Sequence, residues 1–151
     1  MTAPDAIHGS LLQYGRALFT LLEANRVTLG LEEVYFGDQV KIPKTPTLVV
    51  EPDTKRRELA GVPRRVENTL RAWVIIYYSR VENTETSAVG ALEVAERVET
   101  FLHRREHQDL NGLVIHMYCT ETEPGYRTKD NSRFRAVRLS VEGITKTMLG
   151  M

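Results

Sequence analysis

VENTLRAWVIIYYS, residues 66–79, decides how this chain folds. Val66, Leu70, Val74 and Ile76 are separated by even numbers of residues and share one face of an extended strand, while Trp73, Ile75 and Tyr77 take the other. From Trp73 onward both faces are apolar, so this strand sits inside a sheet, and its second face needs cover from something other than the elements on the first. Downstream, Arg80 to Asn83 reads as a polar turn, with Thr84 or Ser87 as caps for a helix running to about Arg105. Its apolar line is Ala88, Ala91, Leu92, Ala95, Val98 and Leu102, and Glu93, Glu96, Arg97 and Arg104 cover the outer side. Asn111 and Gly112 make a turn, Leu113 to Thr120 a strand, and Pro124, Gly125 and Lys129 to Ser132 a loop. Phe134 to Thr145 alternates Val137, Leu139 and Val141 against Arg138, Ser140 and Glu142, a strand with one buried and one wet face.

Upstream, Ile7, Leu11, Tyr14, Leu18, Leu21 and Leu22 recur at helical spacing between Asp5 and about Asn25, with Pro4 and Asp5 as start signals. Val34 to Phe36 is a short extended piece broken by Gly37 and Asp38, and Val40 to Ile42 is another before Pro43. Thr47 to Val50, a β-branched run between Pro46 and Pro52, suits a short edge strand. Residues 51–65, EPDTKRRELAGVPRR, carry charges, Gly61 and two prolines without periodicity, and read as a long loop or an extended hairpin arm. The peptide Arg-Val-Glu-Asn-Thr at 65–69 returns at 80–84, but one copy enters a strand and the other precedes a helix, so it is no structural repeat. The order of elements predicts one α+β domain over residues 1–151. It has a mixed or mostly antiparallel sheet of about four strands, two amphipathic helices on one face, and the arm.

Composition narrows the function classes. Lys and Arg number 20, as do Asp and Glu, so there is no basic excess of the kind that neutralises phosphates in dedicated nucleic-acid binders. The single cysteine, Cys119, excludes an internal disulfide and any cysteine-pair zinc or redox motif. Met1 to Ser10 lacks the basic start and apolar run of a signal peptide, and the longest strongly apolar stretch, Trp73 to Tyr78, falls far short of the about 20 residues that span a bilayer. The expectation is a protein of a reducing compartment without a membrane role.

Little in the chain resembles catalytic machinery. His103, Glu106 and His107 spell H-x-x-E-H, which on one helix would set two zinc ligands beside a glutamate base, as in inverted zinc peptidases. No partner motif supplies a third ligand, and the same residues serve as a basic helix end that complements the helix dipole. His116 and Cys119 are separated by an odd number of strand positions and face opposite ways, so Cys119 reads as a buried thiol rather than a nucleophile. No glycine-rich phosphate loop, nucleophile elbow or paired carboxylates are present, and neither a catalytic residue, a metal ligand nor a cofactor is expected. Lys55, Arg56, Arg57, Arg64 and Arg65 form a basic cluster without interleaved aromatics, better suited to a protein partner than to nucleic acid.

Tyr35-Phe36-Gly37-Asp38, Lys41-Ile42-Pro43-Lys44-Thr45-Pro46, Gly61-Val62-Pro63-Arg64-Arg65, Glu123-Pro124-Gly125-Tyr126, and Arg138-Leu139 with Glu142-Gly143 resemble segments of the tail terminator proteins of long-tailed bacteriophages, in particular those of actinobacterial phages and prophages. The order of elements is similar over nearly the whole chain. The resemblance implies a sheet with helices on one side and a non-enzymatic subunit that assembles into a ring, of six copies in such families. The ring caps the tail tube, stops its polymerisation and offers a docking face to the head-completion or neck protein. The expected partners are therefore the chain itself, the tail tube protein and a neck protein, with DNA at most passing through the ring. The expected location is the head–tail junction of a virion, reached from the host cytoplasm. The expected interface residues are Lys55, Arg56, Arg57, Arg64 and Arg65 on the arm, and Trp73, Ile75 and Tyr77 on the second sheet face. The alternatives left open are another neck subunit and a metal-dependent hydrolase built on H-x-x-E-H.

Overall fold

The computed structural model describes residues 10–59, 61, 65–81 and 84–148, without the side chains of 84–87 and 148. The elements run α1 (Leu11–Ala24), β1 (Glu33–Phe36), β2 (Thr47–Leu59), β3 (Arg65–Arg80), α2 (Thr84–Leu102), a 3-10 turn (Arg105–His107), β4 (His116–Lys129) and β5 (Ser132–Met148). They form an α+β fold whose single sheet has the strand order β1-β2-β3-β5-β4. β1 runs parallel to β2, and every other pairing is antiparallel. The strand over 66–79 lies at the centre, as its doubly apolar pattern requires.

Ser10 starts α1 by accepting the Gln13 amide at 3.1 Å, which satisfies one of the orphan donors of the first turn. The Pro4 and Asp5 start signals lie outside the described residues. Tyr14, Leu18 and Leu22, four residues apart, face the sheet. α1 lies mainly over β1 and β2, and α2 over β3, β4 and β5. Both helices join one apolar cluster with Leu48, Val50, Leu70, Ala72, Val74, Ile76, Val137, Leu139 and Val141. Two glycines permit the close approach. A Cβ at Gly90 would stand 2.2 Å from the Tyr78 hydroxyl, and one at Gly143 would stand 2.7 Å from the Tyr14 ring. Tyr14 in turn donates to the Val141 carbonyl at 2.9 Å, so this buried phenol is both packed and satisfied.

Several expectations need correction. The buried line of α2 includes Val94 and Phe101, whereas Leu92 is exposed, because the stripe Val94–Val98–Phe101 turns Leu92 to its margin. The caps expected at Thr84 or Ser87 rest on side chains outside those described. Residues 40–42 form no strand. Pro124 and Gly125 do not break β4, which continues to Lys129; β4 is an edge strand, and an edge is where a missing amide donor is tolerated. The reversal comes at Asp130 and Asn131, both with positive φ (48° and 63°), between paired Lys129 and Ser132. Positive φ at both central residues is the backbone of a two-residue hairpin turn of the twist-compatible kind. The sheet has five strands rather than four because Glu33–Phe36 pairs along β2, which also moves β2 off the edge.

Candidate assembly surface

Residues 51–59 have poor strand propensity, yet they continue β2 because β3 offers each of them a backbone partner. The register runs Lys55 to Leu70, Arg56 to Thr69, Arg57 to Asn68 and Leu59 to Val66. β5 flanks β3 on its other side as far as Arg65 opposite Met148. Of the two sequence alternatives, loop or hairpin arm, the hairpin is the one formed, and β5 makes it three strands wide over its whole described length. Pairing also divides the basic cluster. Lys55 and Arg57 share the face of Leu70 and Asn68, while Arg56 shares the opposite face with Thr69, and Arg65, one position before Val66, takes that face too. Arg56, Arg57 and Arg65 are exposed, as is Leu59 at 72%. Arg64 lies outside the described residues. Arg56 pairs with Glu58 at 3.3 Å on the same strand. Burial, and then the charge of Arg57, pull the Lys55 ammonium below its usual value.

The second sheet face is closed by the chain itself. Parallel neighbours such as β1 and β2 require the chain to travel back between them, and here residues 37–46 make that return without helix or strand. This strap lays Ile42 onto Val49, Ile75, Tyr77 and Phe134, with Tyr35 and Trp73 packed beside them. Ile75 and Tyr77 are fully buried within one chain. Within one chain the strap gives Ile75 and Tyr77 the cover that their apolar face needs. Trp73 is half-buried, and the Arg138 guanidinium lies over its ring at 4.3 Å while donating to Glu123 Oε1 at 3.0 Å.

A polar group of residues borders the strap. Lys129 donates to Asp38 Oδ1, and Lys41 stands 3.8 Å from Asp130. The Lys129 hydrogen bond holds the Asp38 carboxyl below its usual range. Burial, and then Asp38, push the Glu51 carboxyl up. Beneath them the Tyr77 hydroxyl is buried without a hydrogen-bond partner of normal geometry, and burial raises its pKa against the opposing charges of Lys129 and then Arg127.

The H-x-x-E-H residues do not share a helix. α2 ends at Leu102, and Glu106 and His107 lie on the 3-10 turn. His103 Nε2 accepts the Cys119 amide at 2.9 Å, so the nitrogen lone pair that a zinc ion would need is engaged. The His107 ring lies 4.4 Å from that of Phe101. Among the described residues no group of three His, Cys, Asp or Glu side chains is placed to hold a metal. Cys119 is half-buried, and burial, then Glu99, push its thiol up to about 12, the opposite of an activated nucleophile. No helix among the described residues is long and apolar enough to cross a membrane.

The partners of these groups escaped the sequence reading. Ile42, Phe134, Arg138 and Glu123 matter because of pairings up to about a hundred residues apart, and no local period marks them. The one available signal was Ile42 itself, an isolated large apolar residue between lysines and prolines. No protein-family model matches this chain, and no curated protein matches it in sequence.

Proposed function

We propose that the chain is a structural, non-enzymatic subunit that assembles with copies of itself into a ring, closes the end of a phage tail tube and offers a docking face to a neck protein. The six-fold number and the position in the virion come from the resemblance of the segments quoted above. The observation that carries the reading is that most of those segments, distant in sequence, lie on the strap side of one sheet, two of them paired to its β4–β5 turn and two paired to each other. Asp38 of the first segment pairs with Lys129, Lys41 of the second pairs with Asp130, and Glu123 of the fourth pairs with Arg138 of the fifth. Such residues are what a partner on that side would meet. The arm supplies a second exposed element, with Arg56 and Arg57 on opposite faces of a strand. Arginine suits such contacts because its planar fork pairs with carboxylates and stacks on apolar rings.

Size-exclusion chromatography with light scattering, on the protein alone and mixed with its tail tube protein, tests this reading. A species of several subunits is expected in at least one of the two. A strict monomer in both would remove the proposal, and assembly only with a neck protein would move it to a neighbouring neck position.

A further inference from the structure

α2 carries a line of side chains along the flank that faces β4. Val89, Leu92, Glu96 and Glu99 follow one another at spacings of three and four, so they share one side of the helix. Thr122 donates to Glu99 Oε1 at 3.2 Å, and just past the helix end His103 Nε2 accepts the Cys119 amide at 2.9 Å, which turns that side toward the β4 edge. Val89 is 56% exposed and Leu92 38%, and Glu96 is exposed beside them. The nearby cations are engaged elsewhere, Arg97 with the Leu29 carbonyl and Arg104 over the Phe101 ring. β4 adds Glu121 and Glu123 and has no Lys or Arg before Arg127. The flank is therefore anionic at one end and apolar at the other.

The arm presents a complementary row. Lys55, Arg57 and Leu59 alternate along β2 on the face of Leu70, Asn68 and Val66, with Arg57 and Leu59 exposed. At about 3.3 Å per strand residue, Leu59 stands about 13 Å from Lys55. At about 1.5 Å per helix residue, Leu92 and Val89 stand about 10 and about 15 Å from Glu99. Two cations followed by an aliphatic side chain thus match two anions followed by two aliphatic ones, in order and in length. Burial, and then the charge of Arg57, lower the Lys55 ammonium, and a facing carboxylate relieves the second of these.

The row and the flank lie at different sides of the sheet, with β3 and β5 between β2 and β4, so the partner of each is a second copy. We propose that the arm of one copy docks on the α2 flank of the next, with Lys55 against Glu99, Arg57 against Glu96, and Leu59 against Leu92 and Val89. The proposal rests on the ring reading and deepens it by naming the surface that the arm meets. Facing charges of opposite sign set orientation and register, and the aliphatic contact at the end of the row keeps water from the adjacent pair. Because arm and flank are different surfaces, the contact is head-to-tail, the kind that closes into a ring.

Charge exchange tests it, read by size exclusion with light scattering, alone and on the tail tube protein, with circular dichroism as the control for folding. Arg57→Glu and Glu96→Arg, each at an exposed position, should each raise the concentration at which half the chains assemble by about tenfold. Arg56→Glu, on the other face of the strand, should not. An equal mixture of Arg57→Glu and Glu96→Arg chains should assemble close to the natural concentration, because natural arms then meet natural flanks and reversed arms meet reversed flanks. Single variants that assemble like the natural chain, or a mixture that stays apart, overturn the docking and leave the ring reading standing. A natural chain that stays monomeric alone and on the tube removes the ring reading, and the docking falls with it. Leu59→Cys/Leu92→Cys answers without altering charge and covers a reversed variant whose dichroism changes. Its oxidation should give a ladder of disulfide-linked multimers on a non-reducing gel, where each single variant gives dimers at most. A double variant that gives no ladder overturns the docking.

Discussion

The guanidinium carbon of Arg138 stands 4.3 Å from the centroid of the Trp73 ring, and the same group donates to Glu123 Oε1 at 3.0 Å. Three adjacent strands, β3, β5 and β4, are thereby tied by side chains on the face that carries no helix. An aromatic ring that would otherwise be an open apolar spot is roofed by a cation, and the cation is neutralised by a carboxylate. Cation–π contacts contribute about 0.5–1 kcal/mol when exposed and about 2 when desolvated.

Arg138→Ala is expected to lower stability by about 1–2 kcal/mol and to shift the fluorescence of Trp73, the chain's one tryptophan, to longer wavelength as water reaches the ring. Urea titration followed by fluorescence measures both. An unchanged emission maximum would show that the roof over Trp73 is not Arg138.

The Cys119 thiol gives a pH dependence with a definite sign. Its value in the fold is about 12 against an ordinary 9.0, raised by burial and then by Glu99. The folded chain holds this proton more tightly than the unfolded chain does. Its contribution is therefore complete below pH 9 and is lost as pH climbs toward 12. Urea midpoints should fall between pH 9 and 10.5, with a smaller fall in Cys119→Ala. At pH 8 the native thiol should react with a disulfide reagent about a thousandfold more slowly than the unfolded thiol, in proportion to its thiolate fraction. Equal rates would contradict the burial described for Cys119.

On the arm, Arg56→Glu/Arg57→Glu should leave circular dichroism and thermal midpoint nearly unchanged, since exposed positions shift stability by about 0.5 kcal/mol or less. Assembly should fail through reversed charge at the contact. Because the two residues lie on opposite faces of β2, the single variants should differ, and the one that alone blocks assembly identifies the face that meets the partner. Undisturbed assembly in the double variant would remove the arm from the interface.

The comparison of sequence with structure divides along the length scale of the signal. The strand over 66–79 was legible because its apolar residues alternate on both faces, and the helix of Tyr14, Leu18 and Leu22 because its period is local. The charged continuation of β2 was legible only as one of two alternatives, because its reason for being a strand is the register Lys55 to Leu70 and Leu59 to Val66 on another segment. The need for cover over Ile75 and Tyr77 was read correctly, yet the cover was sought outside the chain. Its source, Ile42, becomes apparent only once β1 and β2 are known to be parallel, which forces residues 37–46 back across the sheet.

Negative-stain imaging of the tail tube protein polymerising with and without this chain tests the central claim most directly. With the chain present, tubes are expected to stop growing and to carry a ring at one end, and the chain should be found at those ends alone. Tubes of undiminished length with bare ends, and a chain that remains monomeric beside them, would contradict the account.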